Sequence, residues 1–176
     1  ALDYPDKVLS LTPIMTSPGM GDPTLSNMTS QMIQGIQESA ILDAKGKYED
    51  SVVRTYRELS GSRFPFNEEK FREQMKVVFE HGHNPFCKHG EAAGSSPSRK
   101  DRLADINKPT LVIHGTEDAI LGVDHGMVLY ENIPNAKKLI MEGVGHELPE
   151  ELMTEITNEI IVHLSNADNI ALLEKF

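Results

Sequence analysis

The run PTLVIHG, residues 109–115, constrains the fold more than any other part of this sequence. It is a short apolar, β-branched stretch between a proline and a glycine, which is typical of a strand that is buried on both faces. A sheet that is buried on both faces needs helices on each side. The run therefore predicts a layered α/β structure.

The residues after this run alternate between helix and strand patterns. A helix is predicted in DHGMVLYENIP, with Asp124 as its cap and with its end before Pro134. A strand is predicted over residues 135–143 and a second helix over residues 149–164, whose apolar positions fall on one helical face. Strand, helix, strand and helix in this order predict a right-handed parallel unit with both faces covered.

The first part of the chain has a different pattern. A strand is predicted over residues 7–17, which are rich in apolar side chains and follow Pro5. Residues 18–106 contain long stretches with helical spacing, so we interpret them as a helical insertion between two strands. The predicted division is residues 1–17 and 107–176 for the α/β core and residues 18–106 for the insertion.

Charge and composition exclude several classes of partner. The 176 residues carry 17 Lys and Arg against 27 Asp and Glu, a net charge of −10, whereas nucleic acids and anionic membranes call for clustered basic residues. No apolar run approaches the ~20 residues that span a bilayer. The single cysteine, Cys87, excludes a disulfide within the chain and favours a reducing compartment. We therefore expect a cytoplasmic protein that binds neither nucleic acid nor membrane.

Two ionisable residues lie where the predicted strands end. Asp118 comes just past the C-terminal end of residues 109–115, where open parallel sheets place their sites, and His146 lies 28 positions later in GVGHELPEE. A carboxylate at this place can hold the imidazole in one tautomer, and the imidazole can move a proton between a nucleophile and a leaving group. We expect a hydrogen bond of about 2.6–3.2 Å between Asp118 and Nδ1 of His146. An acid that precedes the histidine also matches one group of hydrolases, in which the nucleophile, the acid and the histidine follow one another in this order along the chain.

Much of the chain resembles one enzyme family. The stretches PTLVIHGTED and IPNAKKLIMEGVGHELPEE resemble the C-terminal part of α/β-hydrolase-fold enzymes, and ALDYPDKVLSLTPI resembles the helix tail and strand after their nucleophile elbow. EHGHNP and SRKDRLADINKPTLVIHG are most similar to esterase-like members such as aclacinomycin methylesterases. The resemblance implies the C-terminal portion of an α/β-hydrolase fold with a helical cap. It also implies that Asp118 is the catalytic acid, His146 the catalytic base, and residues 18–106 a lid over the substrate pocket.

The chain departs from this family at the nucleophile. No Gly-x-Ser-x-Gly pattern occurs in the 176 residues, and in the family that pattern lies shortly before the position of Ala1. GSSPS and SGSR are no substitute, because both resemble lid loops rather than a strand-to-helix turn. We therefore expect a C-terminal piece of a longer hydrolase that is inactive alone. It would associate with itself or bind the N-terminal portion that carries the nucleophile.

The other histidines have their own interpretations. His114 lies within a predicted strand and is expected to pack in the core, whereas His163 is expected to face solvent. His125 would line the mouth of the pocket or have a surface role. The stretch HGHNPFCKH holds four metal-competent side chains, namely His81, His83, Cys87 and His89. Their spacing fits no standard zinc pattern, so no metal is predicted.

Three functions are compatible with these residues. The first is hydrolysis of a small-molecule carboxylic ester by a Ser-Asp-His triad. The second is cofactor-free perhydrolase or haloperoxidase chemistry, which would use the same triad and which these residues do not separate from the first. The third is a non-catalytic, hydrolase-like binding or scaffold protein, in which HGTED and GHE are only loop and turn residues. A retained acid and base argue against the third, and no cofactor is predicted.

Overall fold

The computed structural model describes residues 1–82 and 88–173, with the backbone alone for residue 89 and residues 167–173. Its helices and strands, in chain order, are α1 (Ser30–Ala44), α2 (Tyr48–Leu59), α3 (Glu68–Glu80), α4 (His89–Gly94), β1 (Leu111–Gly115), α5 (Val123–Asn132), β2 (Lys137–Met141) and α6 (Met153–Leu173). Short 3-10 helices span Pro5–Lys7, Lys100–Asp105 and Glu150–Leu152. The alternation of strand and helix in the last part of the chain is confirmed.

β1 and β2 form a parallel sheet with α5 as the connection between them. Leu111 pairs with Lys137 at one end of the ladder, and Gly115 pairs with Met141 at the other. Every residue of β1 is buried, as the apolar run in the sequence predicts. Both strands thus end at the same edge, and the loops after them lie side by side.

Residues 7–17 lie beside the other edge of β1, but the prediction of a strand there is wrong. One isolated parallel bridge forms at Leu11 and another at Ile14. In a continuous ladder residue 13 would donate its N–H to the neighbouring strand, and Pro13 has no N–H. The carbonyl of Pro13 still accepts a hydrogen bond of 2.9 Å from the N–H of Ile113. Proline therefore reduces this edge to separate bridges.

The core lies on both faces of β1. Leu111 and Ile113 pack with Ile156 of α6 in one apolar cluster. Val112, which points to the opposite face, packs with Leu129 of α5 in a second cluster. The expectation that helices cover both faces of this strand is therefore confirmed.

Residues 18–106 contain α1 to α4 and the 3-10 helix Lys100–Asp105, in agreement with a helical insertion. α1 and α2 pack against each other, and Arg54 of α2 forms ion pairs with Glu38 at 2.6 Å and Glu58 at 2.5 Å. The division of the chain into a core and a lid remains a prediction. None of the described helices is both long and apolar enough to cross a membrane.

The prediction that Asp124 caps α5 is wrong. The cap position is Gly122, with no side-chain hydrogen bond, and Asp124 lies in the first turn of the helix. Its carboxylate accepts hydrogen bonds from the N–H and the hydroxyl of Ser26, each at 2.6 Å. The side chain therefore joins α5 to the start of the helical insertion, a contact between residues far apart in the sequence.

The prediction that His163 faces solvent is wrong. Only 4% of the residue is exposed. It follows Ile156 and Ile160 at helical spacing, so it continues the stripe of α6 that packs on the sheet. The buried stripe of α6 therefore continues from Ile160 to a polar side chain, whereas Ile161 and Leu164, which the sequence pattern places on the same face, are exposed.

Replacement of Ile113 tests the central position of β1. Ile113 is fully buried, so Ile113→Ala should lower the free energy of unfolding by about 3–4 kcal/mol because the lost contacts leave a cavity. Ile161 is the matched control, since 53% of it is exposed and Ile161→Ala should cost less than about 1 kcal/mol. Urea unfolding gives both values. Equal losses in the two variants would contradict the described packing.

Candidate acid–base site

Asp118 and His146 meet beyond the ends of β1 and β2. Nδ1 of His146 lies 2.7 Å from Oδ2 of Asp118, so the predicted hydrogen bond is confirmed. The Asp118 side chain is fully buried, whereas 29% of the His146 side chain is exposed. An ionised carboxylate can only accept, so Nδ1 carries the proton and Nε2 has a free lone pair. Nε2 of His146, on the exposed side of the ring, can therefore accept a proton. The catalytic roles of Asp118 and His146 remain predictions.

The carboxylate of Asp118 is ionised because its hydrogen bonds outweigh its burial. Oδ1 accepts from the N–H groups of Ile120 at 2.9 Å and Leu121 at 2.8 Å. Burial raises the pKa of Asp118, but hydrogen bonds with His114, His146 and Leu121 lower it more. The net result is a pKa well below the usual range of an aspartic acid.

The imidazole of His114 is a second ring that contacts the carboxylate of Asp118. It is fully buried in β1, as predicted, and its Nε2 lies 3.3 Å from Oδ2 of Asp118 and 2.8 Å from the carbonyl oxygen of Leu121. The sequence pattern predicts core packing for His114 but not this contact. One sequence feature does point to it, since a polar side chain within a buried strand needs a hydrogen-bond partner.

The loop that carries His146 packs against neighbouring backbone with no room for side chains. A Cβ added to Gly145 would overlap the carbonyl oxygen of Leu59, and one added to Gly115 would overlap the carbonyl oxygen of Val144. The N–H of His146 donates a hydrogen bond of 2.8 Å to the carbonyl of Leu59. Glycine at these positions thus allows the end of α2, the end of β1 and the His146 loop to touch.

The SGSR segment, residues 60–63, ties both loops of the site to the helical insertion. The N–H of Gly61 donates to Glu147 at 2.9 Å, next to His146. The N–H and hydroxyl of Ser62 each donate to Glu117 at 2.7 Å, next to Asp118. These hydrogen bonds lower the pKa of Glu117 and keep it an acceptor. The sequence predicts a lid loop for this segment, and its contacts with both loops of the site are not apparent from the sequence.

A cavity of about 510 Å³ with both apolar and polar lining lies beside His146. Its apolar lining includes Ile14, Met15, Phe64, Phe66, Phe71 and Leu148, and the ring of Tyr56 lies tilted against that of Phe71 with 4.6 Å between the ring centres. Lys70 of α3 and Glu150 form an ion pair of 2.6 Å and also line the cavity. A partly exposed imidazole at the wall of such a cavity can act on a substrate whose apolar part is buried there.

The remaining histidines are not brought to the site. His125 is buried and its Nε2 donates to the carbonyl of Ser26 at 2.9 Å, so the predicted surface role is wrong. His81 is exposed, while His83 and Cys87 lie outside the described residues, as does the side chain of His89. Within the part of the chain that the structure describes, no group of three or more His, Cys, Asp or Glu could hold a metal ion.

Comparison with known proteins identifies the fold. No family model matches the chain. Over 47 residues it is 45% identical to alpha/beta hydrolase domain-containing protein 17C of Mus musculus, a match that covers 26% of this chain and 15% of that protein. The esterase RhEst1 from Rhodococcus sp. ECU1013 is similar with a TM-score of 0.64 at 19% identity, over 90% of this chain and 56% of that one. A bromoperoxidase from Bacillus anthracis is similar with a TM-score of 0.54 at 24% identity, over 76% of this chain and 48% of that one.

The described elements therefore form the C-terminal portion of an α/β-hydrolase fold, as predicted. The chain spans less than two thirds of the length of each of these three proteins. The similarity to aclacinomycin methylesterases is finer than these comparisons resolve.

Gly145→Ala tests the close packing around His146. The added methyl group would overlap the carbonyl of Leu59, so the free energy of unfolding should fall by about 2–3 kcal/mol and the His146 ring should move from Asp118. Gly90→Ala is the control, because no atom of the described residues lies within 4 Å of a Cβ added at that position. Urea unfolding and the NMR resonances of the His146 ring measure the two effects. A Gly145→Ala variant that resembles Gly90→Ala in both would refute this packing.

Asp118→Asn tests the ionisation of the buried acid. The lowered pKa of Asp118 means that its charge stabilises the folded state above the pKa of the unfolded carboxyl, about 3.9, and that this stabilisation is lost as the pH falls through the folded-state pKa. Above pH 5 the variant should be less stable by roughly 2–4 kcal/mol. The difference should shrink as the pH falls below about 4. Denaturant unfolding at each pH measures it, and a difference that does not change with pH would count against the assignment.

Proposed function

We propose that this chain supplies the acid and base of a serine hydrolase that cleaves small-molecule carboxylic esters. The observation that carries the proposal is the hydrogen bond of 2.7 Å between His146 and the buried Asp118, at the wall of a cavity that has an aromatic side. The α/β-hydrolase fold and the similarity to the esterase RhEst1 support it. The finer resemblance to aclacinomycin methylesterases and a cytoplasmic location belong to this proposal and rest on the sequence alone.

In this mechanism Asp118 stays ionised and holds His146 with Nε2 free. Nε2 forms no hydrogen bond with any residue that the structure describes. It takes the proton of the nucleophile's hydroxyl as that oxygen bonds to the ester carbonyl carbon. The imidazolium, stabilised by Asp118, then gives this proton to the alkoxide as the ester C–O bond breaks. Water repeats the same steps on the acyl-enzyme and releases the carboxylic acid.

The nucleophile of the proposed enzyme lies on a segment N-terminal to residue 1. The chain has no Gly-x-Ser-x-Gly pattern, and two serines of the segment that contacts the site have hydroxyls that are already engaged. The hydroxyl of Ser60 donates to the carbonyl of Tyr56 at 3.0 Å, and that of Ser62 donates to Glu117 at 2.7 Å. In this proposal the chain is inactive alone, and its partner is the N-terminal portion of the same hydrolase or a second copy of itself.

Residues 18–106 serve as the lid in this proposal. They contribute Phe64, Phe66 and Phe71 to the cavity beside His146, and SGSR connects them to both loops of the acid–base pair. A substrate with an apolar group would bury that group against these rings. The lid would then exclude water around the ester and strengthen the interactions of the charged pair.

Perhydrolase or haloperoxidase chemistry is the second candidate. It is favoured by the structural similarity to the bromoperoxidase from Bacillus anthracis. The acid and base would have the same roles, with hydrogen peroxide in place of water as the acceptor of the acyl group. An assay that offers both acceptors to the active protein separates the two functions by the products, carboxylic acid or peroxy acid.

His146→Ala tests the proposal. The chain combined with the N-terminal portion should hydrolyse an activated ester, and His146→Ala should lower kcat by about 10³-fold or more because no base remains. His81→Ala is the control, since His81 is exposed and should be silent. Ester hydrolysis by the variant at a rate near that of the native protein would end the mechanism. Hydrolysis by the chain alone would place the nucleophile within it.

A further inference from the structure

The buried imidazole of His114 is a group that the proposed mechanism does not use. It lies on β1, four residues before Asp118, and neither of these two side chains has exposed surface. A polar side chain within a buried strand is uncommon, because it must find hydrogen-bond partners away from water. The contacts of the ring therefore decide its role.

Nε2 of His114 lies between two oxygen atoms of the turn that carries Asp118. It is 2.8 Å from the carbonyl oxygen of Leu121 and 3.3 Å from Oδ2 of Asp118. Because a carbonyl and an ionised carboxylate can only accept, Nε2 carries a proton and donates it, with the shorter bond to Leu121. The N–H of the same leucine donates to Oδ1 of Asp118 at 2.8 Å. His114 therefore contacts both the backbone of this turn and the carboxylate that the turn holds.

The packing of α5 holds the His114 ring in place. A Cβ added to Gly126 would lie 2.6 Å from Nδ1 and 2.8 Å from Cγ of this ring, so the backbone of α5 covers the ring directly. Nδ1 is buried and has no hydrogen-bond partner among the described residues. Rotation of the ring would take the donor away from the Leu121 carbonyl and leave that carbonyl without this partner, which is costly. The ring is therefore a donor with a fixed direction.

The two imidazoles at Asp118 differ in what supports them. His146 lies on a loop and 29% of its side chain is exposed, whereas His114 lies on a strand whose residues are all buried. In the proposed reaction His146 gains and loses a proton while the carboxylate must stay in place. Oδ2 of Asp118 is 2.7 Å from His146 and 3.3 Å from His114. The second contact thus supports the same oxygen from the rigid side of the site.

We propose that His114 is a positioning residue that holds the carboxylate of Asp118 in the orientation that His146 requires. This inference rests on the hydrolase function proposed above, because it assigns a role within the same site. His114 acts through Asp118 rather than on the substrate, since it does not line the cavity beside His146. Its hydrogen bond to Leu121 keeps the turn closed around Oδ1, and its contact with Oδ2 keeps that oxygen directed at His146 as the imidazolium forms.

Two substitutions separate a donated hydrogen bond from packing. His114→Gln keeps an N–H donor at the end of the side chain, whereas His114→Leu fills a similar space without one. In the full chain, the hydrogen-bonded Nδ1 proton of His146 should give a downfield NMR resonance that persists in His114→Gln and broadens or disappears in His114→Leu. Val112→Ala is the matched control and should keep the resonance, because Val112 is 1% exposed and packs with Leu129 of α5 on the same face of β1.

The chain combined with the N-terminal portion adds a kinetic measurement. His114→Leu should lower kcat by about tenfold with KM unchanged, because the orientation of the acid–base pair is disturbed and the substrate cavity is not. His114→Gln should recover most of the lost rate, and Val112→Ala should keep the native value. A native resonance and rate in His114→Leu would overturn the positioning role. Losses in His114→Gln or in Val112→Ala that equal those in His114→Leu would also overturn it.

A measurement on the native chain covers the case in which the variants fail to fold. ¹⁵N NMR of the histidine-labelled chain in alkaline buffer should show His114 protonated at Nε2, with a proton that exchanges slowly with solvent. A ring protonated at Nδ1, or rapid exchange of the Nε2 proton, would overturn the proposal. These resonances need neither substrate nor the N-terminal portion. The absence of ester hydrolysis by the native complex would instead overturn the proposed function.

Discussion

The position of His146 depends on backbone groups that touch without intervening side chains. Gly145 packs on the carbonyl of Leu59, and Gly115 packs on the carbonyl of Val144. The N–H of His146 donates to the Leu59 carbonyl at 2.8 Å. Because these contacts join the end of β1, the loop after β2 and the end of α2, the histidine is held by the sheet and by the helical insertion together. A larger residue at either glycine would separate the three parts.

The electrostatics of the site follow from this packing. Asp118 is buried among groups that donate to it, so it stays charged in a place where charge is costly. His114 holds it from inside the strand and His146 from the open side. Because Asp118 is buried and the His146 ring is partly exposed, a proton from solvent or substrate reaches the pair at Nε2 of His146. This difference in exposure between the two side chains favours acid–base chemistry over a role as ordinary loop residues. The presence of two ionisable residues alone would favour it less.

The elements that were predicted correctly are specified by residues that lie close together in the sequence. β1 is a continuous apolar run, α6 has an apolar stripe, and Asp118 and His146 follow strands that end at one edge. The failures involve distant partners. The interruption at Pro13 depends on which N–H the neighbouring strand needs, and the burial of His163 depends on where α6 meets the sheet. The hydrogen bonds from SGSR to Glu117 and Glu147 join residues that are 55 and 86 positions apart. No periodicity in the sequence encodes such contacts.

Asp118 fixes the His146 ring with its proton on Nδ1 and its lone pair on Nε2. The most direct measurement is ¹⁵N NMR of the histidine-labelled chain in alkaline buffer, where neutral imidazoles report which nitrogen carries the proton. We expect a His146 ring that is protonated at Nδ1, with a coupling that places this proton in a hydrogen bond to a carboxylate. A ring protonated mainly at Nε2, or one that exchanges freely between the two tautomers, would contradict it.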